Sequence, residues 1–152
     1  MKKKILILIA VILFLGTTIF VLIYSTKDKA WTTTRGQTDL IKLFSPQDGD
    51  IIESPLVVTG KARGSWFFEA DFPVLLTNWD GLIIAEALAR AQEDWMTTDY
   101  VPFEAVLVFE SPVFADADEK DFSRQGYLIL QKDNPSGLPE HDDALEVSVR
   151  FK

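Results

Sequence analysis

Residues 60 to 109 read GKARGSWFFEADFPVLLTNWDGLIIAEALARAQEDWMTTDYVPFEAVLVF. From residue 66 to residue 76 every second side chain is apolar, which is the period of a β-strand with one buried face. These apolar positions are Trp66, Phe68, Ala70, Phe72, Val74 and Leu76. Residues 78 to 81 follow, and their Asp-Gly pair tolerates the positive φ of a tight turn. The pattern predicts a β-hairpin whose second strand begins near Leu82.

The segment from residue 85 to residue 95 gives two conflicting signals. Its Ala, Leu, Glu, Gln and Arg residues are good helix formers, and propensity alone indicates a helix of about 10 residues. A helix would interrupt a chain that is otherwise strand and turn, and tertiary context often overrides propensity. We therefore predict an extended segment in which Trp95 packs inward, so that Trp95→Ala costs about 3 to 5 kcal/mol of unfolding free energy.

Short apolar runs separated by turn residues continue on both sides of this hairpin. Ser45-Pro46 and residues 133 to 137 are typical turn sequences, since Pro fixes φ and Gly allows the left-handed region. The predicted strands outside the hairpin are residues 40–44, 51–52, 56–60, 102–109, 126–131 and 145–151. About seven strands in residues 39 to 152 indicate an all-β fold, an antiparallel β-sandwich, and a barrel is the alternative.

The N-terminal residues differ in composition from the rest. Residues 2 to 4 are all Lys, and residues 5 to 24 contain no charged side chain. A helix of that length, rising about 1.5 Å per residue, spans roughly 30 Å, which is the thickness of the bilayer hydrocarbon. We predict a transmembrane signal anchor at residues 5–24, with residues 1–4 in the cytoplasm, a linker at 25–38 and a domain at 39–152 outside the cell. A cleaved signal peptide is the competing interpretation, but its usual cleavage motif is absent.

The predicted exported part is strongly acidic. Residues 1 to 29 carry five Lys and one Asp, so the total net charge of −8 leaves −12 for residues 30 to 152. Such a surface repels nucleic acid phosphates, anionic lipids and anionic wall polymers, which weighs against all three as partners bound by charge. The chain has no Cys, so the domain has to be stable through packing alone.

Several short motifs follow one another in an order that resembles a known family, the immunoglobulin-like domain of bacterial spore germination. They run from about residue 40 to residue 151, and together they are more specific than any one of them. The motifs are Ser45-Pro46, Asp48-Gly49, Ser54-Pro55, residues 60–64 leading into 66–70, Asp80-Gly81, residues 94–97, Pro102-Phe103 and residues 132–137.

The resemblance implies an exported immunoglobulin-like sandwich without catalytic activity, and it supports the extended interpretation of residues 85 to 95. Members of the family often lie beside a sporulation and spore germination domain. Here a predicted transmembrane segment precedes the domain instead. Because fold transfers more safely than function, a germination role does not follow from the resemblance.

The sequence offers little that indicates catalysis or metal binding. Asp116, Asp118, Glu119 and Asp121 lie close together, but an EF-hand loop starting at Asp116 needs an oxygen ligand and then Gly where this chain has Lys120 and Asp121. His141 is the single histidine, and a zinc site would have to be completed by carboxylates. We predict no catalytic residue, no cofactor and no metal.

Four residues are candidates for a binding surface, namely Trp79, Trp95, Met96 and Asn134. Of the aromatic residues, Trp79 is the one expected to be exposed, because it lies beside a predicted turn. Asn134 and Asp94 are expected to hydrogen-bond neighbouring backbone in turns. Trp66, Phe68 and Phe103 are predicted to lie in the core, because bulky aromatics in a small sandwich are more often buried than exposed.

The predicted function is a non-catalytic, membrane-anchored, extracytoplasmic protein-interaction module of a bacterial cell envelope. The expected partners are the membrane, through residues 5–24, and another envelope protein, because β-sandwiches offer loops and edges for binding. The alternative is a cell-wall carbohydrate-binding module, which needs exposed aromatic residues in a row. Nucleic acid is not an expected partner.

Overall fold

The computed structural model describes residues 39 to 152, which form an all-β fold with three short 3-10 helices. The strands are β1 Ile41–Ser45, β2 Ile51–Ile52, β3 Leu56–Arg63, β4 Asp71–Asn78, β5 Ile83–Ala91, β6 Tyr100–Leu107, β7 Gln125–Gln131 and β8 Ala144–Phe151. The 3-10 helices are Gly64–Trp66, Phe122–Arg124 and Pro139–His141. The predicted all-β class is confirmed for this part of the chain.

The eight strands pair in the order β1-β3-β6-β5-β4-β7-β8-β2. Every pair is antiparallel except β2 with β8, which is parallel. The prediction of about seven purely antiparallel strands is therefore corrected to eight strands in a mixed sheet. Ile51 and Ile52 alone form β2. Because β2 and β8 are far apart in the chain and are not joined by a hairpin, they can pair in parallel.

The sheet is curled, because the chain joins its two ends by short connections. β2 and β3 lie six positions apart in the strand order, which in a flat sheet would be about 29 Å. Only Glu53, Ser54 and Pro55 connect them, and that connection reaches about 14 Å at most. The rings of Phe109, after β6, and Phe151, at the end of β8, are accordingly only 5.7 Å apart.

The curled sheet divides into two layers at the short pairing between β5 and β6. β5 and β6 pair through only two residue pairs, Arg90 with Glu104 and Ala91 with Phe103. One layer therefore contains β1, β3 and β6, and the other contains β5, β4, β7, β8 and β2. The continuous ladder is typical of a barrel and the two layers of a sandwich, so the fold combines the two architectures that the sequence pattern left open.

Alternating side chains fill the space between the layers. Phe72 lies at the centre, with ring centroids 6.3 Å from Trp66, 5.2 Å from Phe67 and 4.9 Å from Phe103, all edge to face. The closing strand β8 follows its predicted pattern, because Leu145, Val147, Val149 and Phe151 are buried. Edge-to-face pairs of this kind add roughly 0.5 to 1.5 kcal/mol each beyond burial.

The strand predicted from residue 66 begins five residues later. Phe68 and Asp71 exchange both backbone hydrogen bonds, at 3.1 and 3.2 Å, around a tight turn. Glu69 and Ala70 in that turn have positive φ values of 51° and 72°, which few residues other than Gly adopt. The turn shifts the alternation by one residue, so Phe67 is buried and Phe68 is 41% exposed. The prediction that Phe68 is a core residue is wrong.

The predicted hairpin is confirmed between β4 and β5. The Asn78 side-chain oxygen accepts hydrogen bonds from the backbone N–H groups of Asp80 and Leu82, at 3.0 and 2.9 Å. Gly81 has a φ of 77°. These contacts close the turn at the residues where the Asp-Gly pair predicts it.

The conflict over residues 85 to 95 is resolved in favour of strand as far as Ala91. The remaining four residues belong to a loop and contain no helix. Three alanines of β5, Ala85, Ala87 and Ala89, lie opposite the larger Leu76, Val74 and Phe72 of β4. Small side chains are required beside those bulky ones, so packing across strands outweighs the helix propensity of alanine.

The predicted anchor at residues 5–24 and the linker at 25–38 lie outside the described residues. No helix within residues 39 to 152 is both long enough and apolar enough to span a bilayer.

Trp95 is half-buried against the core, whereas Trp66 is fully buried. We expect Trp66→Ala to lower the free energy of unfolding by about 3 to 5 kcal/mol and Trp95→Ala by less than this, because the second removes less buried surface. Urea unfolding of the two variants beside the unchanged chain measures both. Equal losses for the two tryptophans would contradict this difference in packing.

Candidate functional site

The four predicted surface residues lie at opposite ends of the domain. Trp79 is in the turn between β4 and β5, and Trp95 and Met96 are in the loop after β5. The nine residues of β5 hold these two positions apart by about 27 Å. Asn134 lies in the loop between β7 and β8, at the same end as Trp95. The four residues do not form one surface.

Asn134 organises its own loop. Its side-chain amide donates to the backbone oxygen of Leu138 at 2.9 Å and to a carboxylate oxygen of Asp142 at 2.7 Å. Asp94 likewise accepts a hydrogen bond from the backbone N–H of Met96 at 3.0 Å. Both residues have the turn role that their residue types indicate. Met96 is 77% exposed and lies beside that turn.

Trp79 belongs to an exposed aromatic cluster, which we define as Trp79, Phe114 and Phe122. The ring centroids of Trp79 and Phe122 are 4.8 Å apart, those of Trp79 and Phe114 6.5 Å, and those of Phe114 and Phe122 5.7 Å. The three residues remain 41%, 45% and 50% exposed. Three large rings in mutual contact at the surface form the kind of patch that is typical of protein-binding sites.

Hydrogen bonds in the loop between β6 and β7 hold the aromatic cluster in position. The Ser123 hydroxyl accepts from the backbone N–H of Phe114 at 3.2 Å, which ties the two phenylalanine positions together. Asp121 accepts from the backbone N–H of Ser123 at 2.8 Å. Arg124 donates to the backbone oxygens of Asp118 and Ala117, at 2.7 and 3.3 Å. Such pre-organisation lowers the entropy that binding costs.

The acidic loop uses two of its carboxylates for its own backbone. Asp118 accepts from the N–H of Lys120 at 2.7 Å, as Asp121 does from that of Ser123. Within residues 39 to 152, no group of three or more His, Cys, Asp or Glu side chains converges in a way that could hold a metal ion. An open groove of about 480 Å³ runs beside this loop, with Asp121, Tyr127 and Arg150 among its lining residues.

One serine and histidine contact lies in an exposed loop. The Ser136 hydroxyl is 3.0 Å from Nδ1 of His141 and also bonds the Asn134 side-chain oxygen. Nucleophilic catalysis requires a third group that orients the histidine and donors that stabilise an oxyanion. Asp142, the adjacent carboxylate, bonds Asn134 instead. The contact between Ser136 and His141 therefore links two parts of the loop between β7 and β8.

A family model, the immunoglobulin-like domain of bacterial spore germination, matches residues 40–118, which is slightly more than half of the chain. The chain belongs to this family. The resemblance deduced from its motifs is confirmed over those residues, from β1 to the acidic loop. The motif at residues 132–137 lies beyond the match. A comparison with curated proteins and with solved structures gives no match.

The spore germination immunoglobulin-like family is a non-enzymatic domain of the protein-interaction type. The matched range contains two members of the aromatic cluster, Trp79 and Phe114. Phe122 lies four residues beyond it. The fold and the exposed cluster are therefore compatible with a module that binds another macromolecule.

Sequence reasoning found Trp79 but missed Phe114 and Phe122. The available signal was two phenylalanines in an otherwise polar, acidic loop, where burial in the core is not expected. The prediction that Trp79 is exposed is confirmed, and Phe44, Phe122 and Phe114 are exposed as well. Phe44 alternates outward on the edge strand β1, which explains its exposure.

The pKa of Asp121 provides a test of the loop geometry. The Ser123 side chain, then the Ser123 backbone N–H, lower this pKa below its usual value of 3.8. A depressed pKa means that the hydrogen bonds stabilise the loop above the usual pKa, and that this contribution is lost as the pH falls through the lower folded value. We expect Asp121→Ala, which removes the acceptor of this hydrogen bond, to accelerate amide exchange of Ser123 at neutral pH.

The matched control is Asp116→Ala, which removes a carboxylate of the same loop, and it should leave the Ser123 exchange rate unchanged. In the unchanged chain the exchange of Ser123, corrected for its intrinsic pH dependence, should increase only below about pH 4. A Ser123 amide that is equally protected in Asp121→Ala and in the unchanged chain would contradict the role of Asp121 in the loop.

Proposed function

We propose that this chain is a non-catalytic, membrane-anchored module of a bacterial cell envelope, and that the aromatic cluster docks another envelope protein. The observation that carries the proposal is the contact of Trp79 with Phe114 and Phe122 while each ring stays more than 40% exposed. Burying such rings on a partner releases ordered water, and aromatic side chains dominate the binding energy of many protein interfaces.

The ring geometry favours a protein partner over a cell-wall glycan. Stacking on sugars requires aromatic faces in a row, whereas the cluster rings meet at angles of 76°, 82° and 84°. Edge-to-face rings form a compact knob that fits a pocket rather than a platform along a chain. Membership of a protein-interaction type of family is consistent with the same choice.

Docking can be tested with the full chain in neutral detergent, immobilised through its C-terminus. Trp79→Ala and Phe122→Ala should each weaken the affinity for membrane-extract protein by about thirtyfold or more, because hot-spot aromatics cost at least about 2 kcal/mol when truncated. Met96→Ala, which removes an exposed apolar side chain at the other end of the domain, is the matched control and should retain binding. Retention by insoluble wall alone would favour the glycan alternative.

The proposed anchor is residues 5–24, with the N-terminus inside and the domain at 39–152 outside. Three Lys before the apolar segment support this orientation. Protease added to intact cells should remove the domain, while an internal cytoplasmic marker stays intact. A domain that becomes cleavable only after the cells are lysed would overturn the topology, but would leave the docking proposal to its own test.

A further inference from the structure

Three cations surround a single aromatic ring on the outer face of the layer that contains β1, β3 and β6. Nζ of Lys42 is 4.8 Å from the Tyr100 ring centroid, Nζ of Lys61 is 5.1 Å, and Cζ of Arg63 is 4.0 Å. Because all three lie so close to one point, no two of these charges are more than about 10 Å apart, roughly one Debye length. We define Lys42, Lys61, Arg63 and Tyr100 as the cationic face.

The cationic face is unusual in so acidic a domain. Residues 39 to 152 contain 22 of the 23 Asp and Glu residues but only nine of the 15 Lys and Arg residues. In this part of the chain the salt bridge joins Lys152 to Glu53, and none includes Lys42, Lys61 or Arg63. A third of the domain's cations therefore converge on one ring without forming a salt bridge, although carboxylates are abundant in the domain. Bringing in an anion would relieve their mutual repulsion.

The fold fixes the cationic face in place. Arg63 donates to the backbone oxygen of Thr98 at 3.1 Å, and the Tyr100 hydroxyl donates to the backbone oxygen of Asp39. Lys42 is paired with Lys61 across β1 and β3, and Arg63 with Tyr100 across β3 and β6. The four side chains are thus aligned by strand register rather than by chance contacts of flexible lysines.

An apolar flank continues the same face along the strands. Val57 and Val106 are directly paired across β3 and β6, and they are 47% and 48% exposed. Phe44 of β1 is 51% exposed, and Nζ of Lys61 lies 6.0 Å from its ring centroid. Thr59 and Glu104 are paired between this apolar flank and the cations, so the two parts lie on one face of the three strands but are separated by one residue pair.

We propose that the cationic face and its apolar flank bind an acidic protein segment in which carboxylates lie next to apolar side chains. Carboxylates would accept hydrogen bonds from the three cations, and the apolar residues would cover Val57, Val106 and Phe44. A phosphate polymer offers no apolar complement to that flank.

This site is separate from the aromatic cluster, so its test does not depend on the docking proposal. The full chain in neutral detergent is titrated against a dye-labelled peptide that has a run of Glu next to a run of Val and Leu, and its fluorescence anisotropy is measured. The double variant Lys42→Gln with Lys61→Gln should bind this peptide about tenfold more weakly. Lys120→Gln, which removes an exposed charge elsewhere, should bind it as the unchanged chain does.

Four outcomes would overturn the proposal: no binding of the peptide, equal binding of the same peptide with Gln for Glu, affinity that does not change with salt, or unchanged affinity of the double variant.

Val106→Ser tests the apolar flank and should weaken binding independently of salt. Polyphosphate and phosphatidylglycerol vesicles are tested in parallel. Tighter, lysine-dependent binding of either one would replace the acidic segment with a phosphate ligand.

Discussion

The short connection between β2 and β3 constrains the whole domain. Because three residues have to join strands at nearly opposite positions of an eight-stranded sheet, the sheet has to curl until its ends meet. Curling encloses Phe72 and its aromatic neighbours in the core, and a chain without disulfides depends on such buried apolar surface for its stability. The direct pairing of β4 with β7, in which Asn78 lies opposite Gly126, places the turn after β4 beside the loop that precedes β7, where Trp79 contacts Phe114 and Phe122.

Local patterns in the sequence predict what depends on neighbouring residues. The alternation in β8 and the Asp-Gly turn at Gly81 need no distant information, and both are confirmed. The turn at Glu69 and Ala70 could not be predicted, because neither residue type favours positive φ. The strand order could not be predicted from the sequence either. The parallel pairing of Ile51 and Ile52 with β8 depends on how the whole sheet curls and not on these two residues.

The candidate surfaces follow the same division between local and distant information. An exposed tryptophan beside a turn can be recognised in the sequence, but its contact with two phenylalanines more than thirty residues away cannot. The cationic face was equally hidden, because Lys42, Lys61 and Tyr100 converge only through the pairing of β1 with β3 and of β3 with β6. The net charge of −12 over the predicted exported part indicated a negative surface throughout, and it conceals a local positive site.

Stability and binding are carried by different side chains. The core residues are at most 8% exposed, whereas the cluster rings and the apolar flank are all above 40%. Truncating a core residue removes packing on every side, but truncating an exposed ring removes little that the folded domain itself uses. The half-buried Trp95 is the intermediate case. It packs against the core while standing next to the exposed Met96, so a change at Trp95 alters stability and surface together, whereas changes at Trp79 or Lys61 separate binding from folding.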